Sequence, residues 1–216
     1  MIGTVGDMSE GPLVYIIDDD QDIRLSLDSL FRSVGMKSAQ YGSAREFLDA
    51  KRPDTTSCIV VDVRLPGLSG LDFQDQLTRN GSTIPIVLMT GHGDIPMTVR
   101  AMKAGAVDFL AKPFRDQDML DAVSSALEID RQRREGDGEL SALKARYNDL
   151  SPREKQVMEL VTTGLMNKQV AGKLSLSEVT VKIHRGSAMR KMEARSLADL
   201  VKMAELLKIH ETAGQV

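Results

Sequence analysis

Short apolar runs alternate with helical periodicities along residues 12–130. Apolar runs typical of buried parallel strands cover 13–17, 58–62, 84–89 and 106–111, with a weaker run at 36–41. After each run, apolar residues recur at helical spacing, within 23–34, 44–50, 71–77, 96–104 and 116–130. Five strand–helix pairs in succession predict an α/β domain with a doubly wound, five-stranded parallel sheet. A ligand site in such a sheet lies at the carboxyl ends of the strands.

The pattern changes after residue 130. Residues 131–139 are polar, contain glycine and lack large apolar side chains, which marks a boundary. Apolar residues then recur at helical spacing at Leu140, Leu143, Tyr147 and Leu150. We therefore predict a domain over 12–130, a linker over 131–150 that is helical in its second half, and a second domain over 151–216.

Residues 151–216 contain the start signals of four short helices. Ser151 and Glu154 form a capping box with proline at the first helical position, and Gly164 ends that helix. The other three helices begin at Asn167, Ser177 and Ser196. These signals predict a small all-α domain. The second and third helices are separated only by residues 175–177, which is the short connection of a helix-turn-helix.

Polar residues follow the predicted strands at the end where a ligand site is expected. Asp62 ends the run that begins at Cys58, and it either presents a carboxylate at the sheet edge or only caps the following turn. The other strand ends carry Asp18, Asp19, Asp20, Thr90 and Lys112. Gathered carboxylates would repel one another unless a hard divalent cation neutralised them, which favours Mg²⁺. Lys112 would then pair with an anion on Asp62, Thr90 would donate it a hydrogen bond, and Asp20 is favoured as a helix N-cap.

The third of the four short helices has two dissimilar sides. At about 100° per residue, Val181, Ala188 and Met192 fall on one side and are predicted to face the core. The opposite side and its flank carry Val179, Thr180, Lys182, Ile183, His184, Gly186, Arg190 and Lys191. A helix of this kind would enter the major groove of DNA, with Lys182 reading bases and the flank holding phosphates. The alternative is a solvated cationic face in which His184 is a packed, hydrogen-bonded residue.

Charge and composition separate the two parts further. Residues 1–150 carry a net charge of −7 and residues 151–216 one of +4, so the two parts are expected to bind different partners. The chain is 42% hydrophobic and 27% charged, as in ordinary globular proteins, and no apolar run approaches the roughly 18 residues that span a bilayer. The single cysteine, Cys58, forms no intramolecular disulfide and is expected to be a core side chain. We therefore expect a cytoplasmic protein without a membrane partner.

Four segments resemble the receiver domain of bacterial two-component response regulators, namely residues 16–20, 60–67, 89–94 and 109–114. Together they are specific, because matching residue types stand at separate strand ends. The resemblance implies the strand order 2-1-3-4-5, a cis bond before Pro113 and a phosphoryl group that Asp62 accepts from a cognate histidine kinase. It implies a Mg²⁺ ion held by Asp18, Asp19, Asp62 and the backbone carbonyl of Arg64. It also implies a phosphate contact from Lys112 and a switch made by Thr90 and Phe109.

Three further segments, residues 150–154, 164–171 and 177–184, resemble the LuxR-type helix-turn-helix. The whole chain is thus similar to response regulators of the FixJ/NarL type and closest to the FixJ branch. This resemblance implies a transcriptional regulator, not an enzyme, that forms a homodimer on phosphorylation and binds double-stranded promoter DNA. Gly186 stands where a bulkier residue is expected and Met192 where leucine is usual. Both departures leave the base-reading chemistry and the operator sequence open.

Two other classes of function fit parts of the pattern. A haloacid-dehalogenase-like phosphohydrolase also forms an aspartyl-phosphate, but it needs a second aspartate two residues after the nucleophile, where this chain has Arg64. The basic helices would alternatively bind RNA polymerase or another protein in place of DNA. A salt-dependent DNA-binding assay distinguishes DNA binding from this protein-binding role, because several phosphate contacts lose orders of magnitude in affinity as salt rises.

Overall fold

The computed structural model of this chain describes residues 11–91 and 95–210. The chain divides into two compact units between Arg134 and Glu135. Each unit has a hydrophobic core of its own residues. His92, to which the sequence assigns no role, lies outside the described residues.

The first unit is a parallel sheet with helices between its strands. Its strands are β1 (Leu13–Ile17), β2 (Lys37–Tyr41), β3 (Ser57–Asp62), β4 (Ile86–Thr90) and β5 (Asp108–Ala111). Its helices are α1 (Gln21–Ser33), α2 (Ala44–Asp49), α3 (Gly70–Arg79), α4 (Ile95–Lys103) and the first part of α5 (Asp116–Asn148). The strands lie in the order β2-β1-β3-β4-β5 and every pairing is parallel. The predicted fold class of this domain is confirmed.

The sheet separates two apolar clusters, one on each face. Successive side chains of a strand point to opposite faces, so each central strand contributes to both clusters. Tyr15 pairs with Ile59 in register and both lie in one cluster, whereas Ile16 and Val60, one position further, lie in the other. Burial on both faces explains why these strands are continuous apolar runs in the sequence. Cys58 is fully buried in the second cluster, and burial raises the pKa of its thiol.

The fifth helix is longer than the sequence predicts. It was expected to end at Asp130, but it continues without a break to Asn148, so the first half of the predicted linker is helical as well as the second. The polar stretch is helical because its charges pair at helical spacing. Asp130 accepts from Arg133 and from Arg134, both at 2.7 Å, and Glu128 pairs with Arg131 at 2.7 Å. A polar, glycine-containing stretch thus marked a boundary in the sequence without being an irregular loop.

The second unit contains the end of α5 and four short helices. These are α6 (Pro152–Thr162), α7 (Asn167–Leu174), α8 (Glu178–Lys191) and α9 (Leu197–Leu206). Ser151, Ser177 and Ser196 cap α6, α8 and α9 through their side chains, as predicted. At α7, the backbone N–H of Met166 donates instead to the side chain of Gln169. Within residues 11–91 and 95–210, no helix has the length and apolar character needed to cross a membrane.

Candidate functional site

Three carboxylates meet at the carboxyl ends of β1 and β3. Asp62 is the last residue of β3, and Asp18 and Asp19 directly follow β1. One side-chain oxygen from each of the three lies within 4.8 Å of the others. Asp18 is 1% exposed and Asp62 is 8% exposed, whereas Asp19 is open to solvent. Parallel pairing of β1 with β3 brings these residues together, as the sequence predicts from the strand ends.

The ammonium group of Lys112 lies between two of these carboxylates. Its Nζ donates to Oδ2 of Asp18 at 2.7 Å and lies 3.5 Å from Oδ2 of Asp62. The peptide bond from Lys112 to Pro113 is cis, and the backbone N–H of Lys112 donates to the carbonyl of Thr90. Burial raises the pKa of Asp18, although the hydrogen bond from Lys112 opposes this shift. Lys112 therefore approaches both buried carboxylates and leans toward Asp18.

The start of α1 fixes the acidic loop after β1. Asp20 caps α1 by accepting from the backbone N–H groups of Asp22 and Ile23, which agrees with its favoured role as an N-cap. Its own backbone N–H donates to Oδ1 of Asp18 at 2.9 Å. Arg24 donates to the carbonyl oxygens of Asp18, at 2.6 Å, and Asp19, at 3.1 Å. Sequence reasoning missed Arg24, because a cation in the first turns of a helix usually faces solvent.

Gly70 packs directly against the backbone of Asp62. A Cβ at this position would lie 2.4 Å from the carbonyl oxygen of Asp62 and 2.9 Å from Cα of Val63. The N–H of Gly70 donates to the carbonyl of Val63 at 2.9 Å. Only a residue without a side chain permits this approach, so Gly70 is part of the support for Asp62. Sequence reasoning missed it, since the glycine stands eight positions after Asp62 at the start of a helix.

The carboxylate cluster fits a hard divalent cation. Oδ1 of Asp62 is buried and has no hydrogen-bond partner among the described residues. A buried carboxylate oxygen without a partner is costly unless another group binds it. Three carboxylates within reach of one another supply the oxygen ligands that Mg²⁺ takes. Asp18, Asp19 and Asp62 therefore suit the predicted ion. The side chain of Arg64 is exposed, and the predicted role of its carbonyl stays a prediction.

The two predicted switch residues lie on the neighbouring strands. Thr90 is the last residue of β4 and is fully buried, and Phe109 is half-buried on β5. Leu88 pairs with Phe109 in register, and the ring packs against the cluster that contains Leu88. Phe109 is thus partly a core residue, in line with the use of most phenylalanines in strands. Its switching role stays a prediction.

In the second unit, α8 has one buried and one exposed side. Val181, Ala188 and Met192 are fully buried, as predicted. On the opposite side, Val179 is 66% exposed and Ile183 is 64% exposed, and Lys182 and Arg190 are exposed beside them. Exposed apolar side chains beside cations indicate a binding surface, because only contact with a partner would remove their apolar area from water.

The side chains on the flank of α8 make more contacts within the protein than the sequence suggests. Thr180 bonds to the capping residue Ser177 through its hydroxyl, at 2.7 Å, and His184 is half-buried. Lys191 was predicted to hold DNA phosphates, but its ammonium donates to Glu154 at 2.7 Å and to the carbonyl of Asp149 at 3.2 Å. These contacts form because the last turn of α8 packs beside the start of α6, where the carboxylate of Glu154 lies. Lys191 is nevertheless exposed, and its phosphate contact stays a prediction.

Glu154 joins α6 to α8. It completes the capping box with Ser151 and accepts from Ser187 at 2.6 Å and from Lys191 at 2.7 Å. Burial alone would raise its pKa, but the hydrogen bonds from Lys191, Ser187 and Ser151 lower the pKa of Glu154 to about 2. Sequence reasoning assigned Glu154 only to the capping box. Its contacts with α8 depend on packing between helices and left no signal in the sequence.

Comparisons with known proteins agree with this architecture. The sequence matches the family described as "Response regulator receiver domain" over residues 14–124 and that described as "Bacterial regulatory proteins, luxR family" over residues 148–204. Nodulation protein W of Bradyrhizobium diazoefficiens is 61% identical over 197 residues, which cover 91% of this chain and 87% of that protein.

Two further proteins are similar over most of their length. Transcriptional regulatory protein FixJ of Azorhizobium caulinodans is 44% identical over 199 residues, covering 92% of this chain and 94% of that protein. Among solved structures, the response regulator StyR is 47% identical and superposes with a TM-score of 0.81, covering 90% of this chain and 98% of that one. The match therefore extends over both units of the chain.

Proposed function

The chain belongs to the FixJ/NarL-type response regulators, which join a receiver domain to a LuxR-type DNA-binding domain, and we propose that phosphorylation of Asp62 controls its DNA binding. The observation that carries this proposal is the buried carboxylate of Asp62, with one unpartnered oxygen and the ammonium of Lys112 at 3.5 Å. We take residues 12–130 as the receiver domain, 131–150 as the connection and 151–216 as the DNA-binding domain. The cytoplasmic location stays a prediction.

The proposed reaction transfers a phosphoryl group to Asp62. A carboxylate oxygen of Asp62 attacks the phosphorus of a phosphohistidine on a histidine kinase, a new P–O bond forms, and the P–N bond breaks. The histidine leaves with the electron pair of that bond and takes up a proton. Lys112 compensates the negative charge that Asp62 gains, because its ammonium already lies beside that carboxylate. The protein modifies only itself and acts on no other substrate.

Mg²⁺ is the proposed cofactor of this transfer. Asp18, Asp19, Asp62 and the carbonyl of Arg64 would hold it, and the first three are the carboxylates that lie together in the structure. When bound, the ion neutralises charge on the phosphoryl oxygens and so lets an anionic carboxylate attack an anionic donor. Asp18 is already held by Lys112 and by the backbone of Asp20, which keeps its carboxylate aimed into the cluster.

We propose that the new charge on Asp62 changes the face formed by α4, β5 and α5. Thr90 and Lys112 would move toward the phosphoryl group, and Phe109 would turn into the space beside Thr90. Three side chains of α4 support an interaction surface there, since Ile95, Val99 and Met102 are 81%, 45% and 45% exposed. A homodimer would form on this face.

The dimer would present two copies of α8 to two half-sites of promoter DNA. Lys182 is the proposed base contact, and Val179, Ile183, Gly186 and Arg190 share its exposed side. Thr180 and His184 border this side, whereas Lys191 acts mainly through Glu154. Pairing two helix-turn-helix units adds affinity without a new base contact, because the second contact becomes intramolecular.

Sedimentation and DNA binding test the whole proposal. The wild-type chain, with Mg²⁺ and a small-molecule phosphodonor, should become dimeric and bind promoter DNA with an affinity that falls by orders of magnitude as salt rises. Asp19→Ala should lose both the Mg²⁺ dependence and the labelling, whereas Lys112→Ala should still be labelled slowly but stay monomeric. A phosphorylated chain that remains monomeric and binds its operator at full strength would refute the dimer step.

A further inference from the structure

Gly186 lies in the middle of α8, where the described contacts do not require a glycine. Its φ is not in the left-handed region, and a Cβ added there would meet no described atom within 4 Å. Glycine is the least favourable residue of a helix interior apart from proline, because it loses the most backbone freedom. Alanine would therefore fit this position in the free protein and favour the helix.

Gly186 interrupts a row of side chains on the exposed side of α8. Val179, Ile183, Gly186 and Arg190 follow one another at i, i+4, i+7 and i+11, which places them in one line along the helix. Within this row, Val179 and Ile183 are β-branched and about two-thirds exposed, and Arg190 is an exposed cation. The row thus consists of an apolar pair, a gap and a charge.

We infer, resting on the DNA binding proposed above, that Gly186 sets the depth at which α8 lies in the major groove. Without a Cβ at this point, the helix backbone comes closer to the DNA than any other residue would allow. The closer approach brings Val179 and Ile183 to the edges of the bases, where the thymine methyl is the apolar group of the major groove. Arg190, one turn further along the helix, is placed for a phosphate. The operator half-site therefore contains thymines whose methyl groups these two side chains contact.

Two glycine-to-alanine variants of the full-length chain test how deeply α8 lies in the major groove. The probe is a duplex enriched from a random pool by the phosphorylated wild-type chain. Gly186→Ala should raise the melting temperature of its unit by several degrees yet weaken binding to this duplex at least tenfold, since the added methyl group is forced against the DNA. Gly138→Ala is the matched control, because Gly138 is also helical and a Cβ there meets no described atom within 4 Å. It should raise the melting temperature without changing the affinity.

Replacing thymine by uracil in the duplex tests whether Val179 and Ile183 contact thymine methyl groups. Replacing one contacted thymine by uracil removes only the methyl group, and this should weaken wild-type binding about fourfold for each buried methyl. Gly186→Ala should be insensitive to the same replacement, because its apolar pair no longer reaches the base edges. Unchanged affinity of Gly186→Ala, or full uracil sensitivity in that variant, would overturn the inference alone. A wild-type chain that enriches no duplex would overturn the proposed function, and this inference with it.

Discussion

The acidic cluster of the first unit and the exposed side of α8 in the second are assembled in different ways. Asp18 and Lys112, which touch at 2.7 Å, are 94 positions apart in the sequence, and both are held by backbone contacts of neighbouring strands. The exposed residues of α8 come from one helix and face solvent. The cluster is a partly buried pocket of oppositely charged groups fixed by the sheet, whereas the side chains of the helix are exposed on one surface.

A second contrast concerns one buried carboxylate from each unit. The pKa of Asp18 is raised, because burial outweighs its hydrogen bond with Lys112. The pKa of Glu154 is lowered to about 2, because Lys191, Ser187 and Ser151 all donate to it despite its burial. The first unit thus contains a buried carboxylate whose hydrogen bonds do not fully offset the effect of its burial. In the second unit, the carboxylate of Glu154 accepts hydrogen bonds from Ser187 and Lys191 and so links α6 to α8.

The largest expected effect is on the cluster. Asp62→Asn should abolish labelling by a phosphodonor in the presence of Mg²⁺, because an amide is a poor nucleophile and a weaker metal ligand than a carboxylate. Asp20→Asn is the matched control, since asparagine caps a helix as well as aspartate does and should leave labelling intact. Labelling of Asp62→Asn at the wild-type level would show that another residue accepts the phosphoryl group.

The next effect tests whether backbone packing shapes the cluster. Gly70→Ala should lower the free energy of unfolding of the first unit by about 3 kcal/mol and slow labelling, because its Cβ collides with the backbone of Asp62. Gly42→Ala serves as the control, since its Cβ would be 3.5 Å from the flexible side chain of Glu46. Denaturant unfolding measures both variants. Equal stability of the two would mean that the loop after β3 moves freely.

A smaller effect tests the support behind α8. Glu154→Gln should lower the free energy of unfolding of the second unit by about 2 kcal/mol at pH 7, since the charged hydrogen bonds are lost. The folded pKa of Glu154, about 2, lies below the ordinary 4.5, so its stabilisation is complete above about pH 4.5 and is lost as pH falls toward 2. The stability difference between wild type and variant should therefore shrink over that interval. An exposed control, Glu205→Gln, should leave the free energy of unfolding at pH 7 nearly unchanged. A pH-independent difference for Glu154→Gln would contradict the assignment.

The smallest effect separates two lysines of α8. Lys182→Ala should weaken operator binding about tenfold, or about 1.4 kcal/mol, with no change in melting temperature, because the side chain is exposed and would contact a base. Lys191→Ala should instead lower the melting temperature, since it removes the ammonium from Glu154. Footprinting and thermal melting of both variants measure these effects. If both variants lost the same affinity and the same melting temperature, Lys182 could not be assigned to DNA contact and Lys191 to the stability of the unit.

The sequence alone determined the elements and their order. Helix starts such as Ser151, Ser177 and Ser196 were predictable because a cap satisfies backbone N–H groups only two or three residues away. Apolar runs predicted the strands, and the polar residues that follow them predicted Asp18, Asp62 and Lys112 as neighbours, since parallel strands bring their carboxyl ends to one edge. Local signals failed for α5, where charge pairs continue the helix past the expected boundary.

Only the tertiary structure decided which of these residues touch. Lys112 approaches Asp18 more closely than Asp62, Gly70 lies against the backbone of Asp62, and Lys191 on the flank of α8 donates to Glu154. Each of these contacts depends on distances that the packing of whole helices and strands sets to within an ångström. Sequence patterns specify which face of an element is buried, but the same pattern is compatible with many pairings of charged groups on those faces.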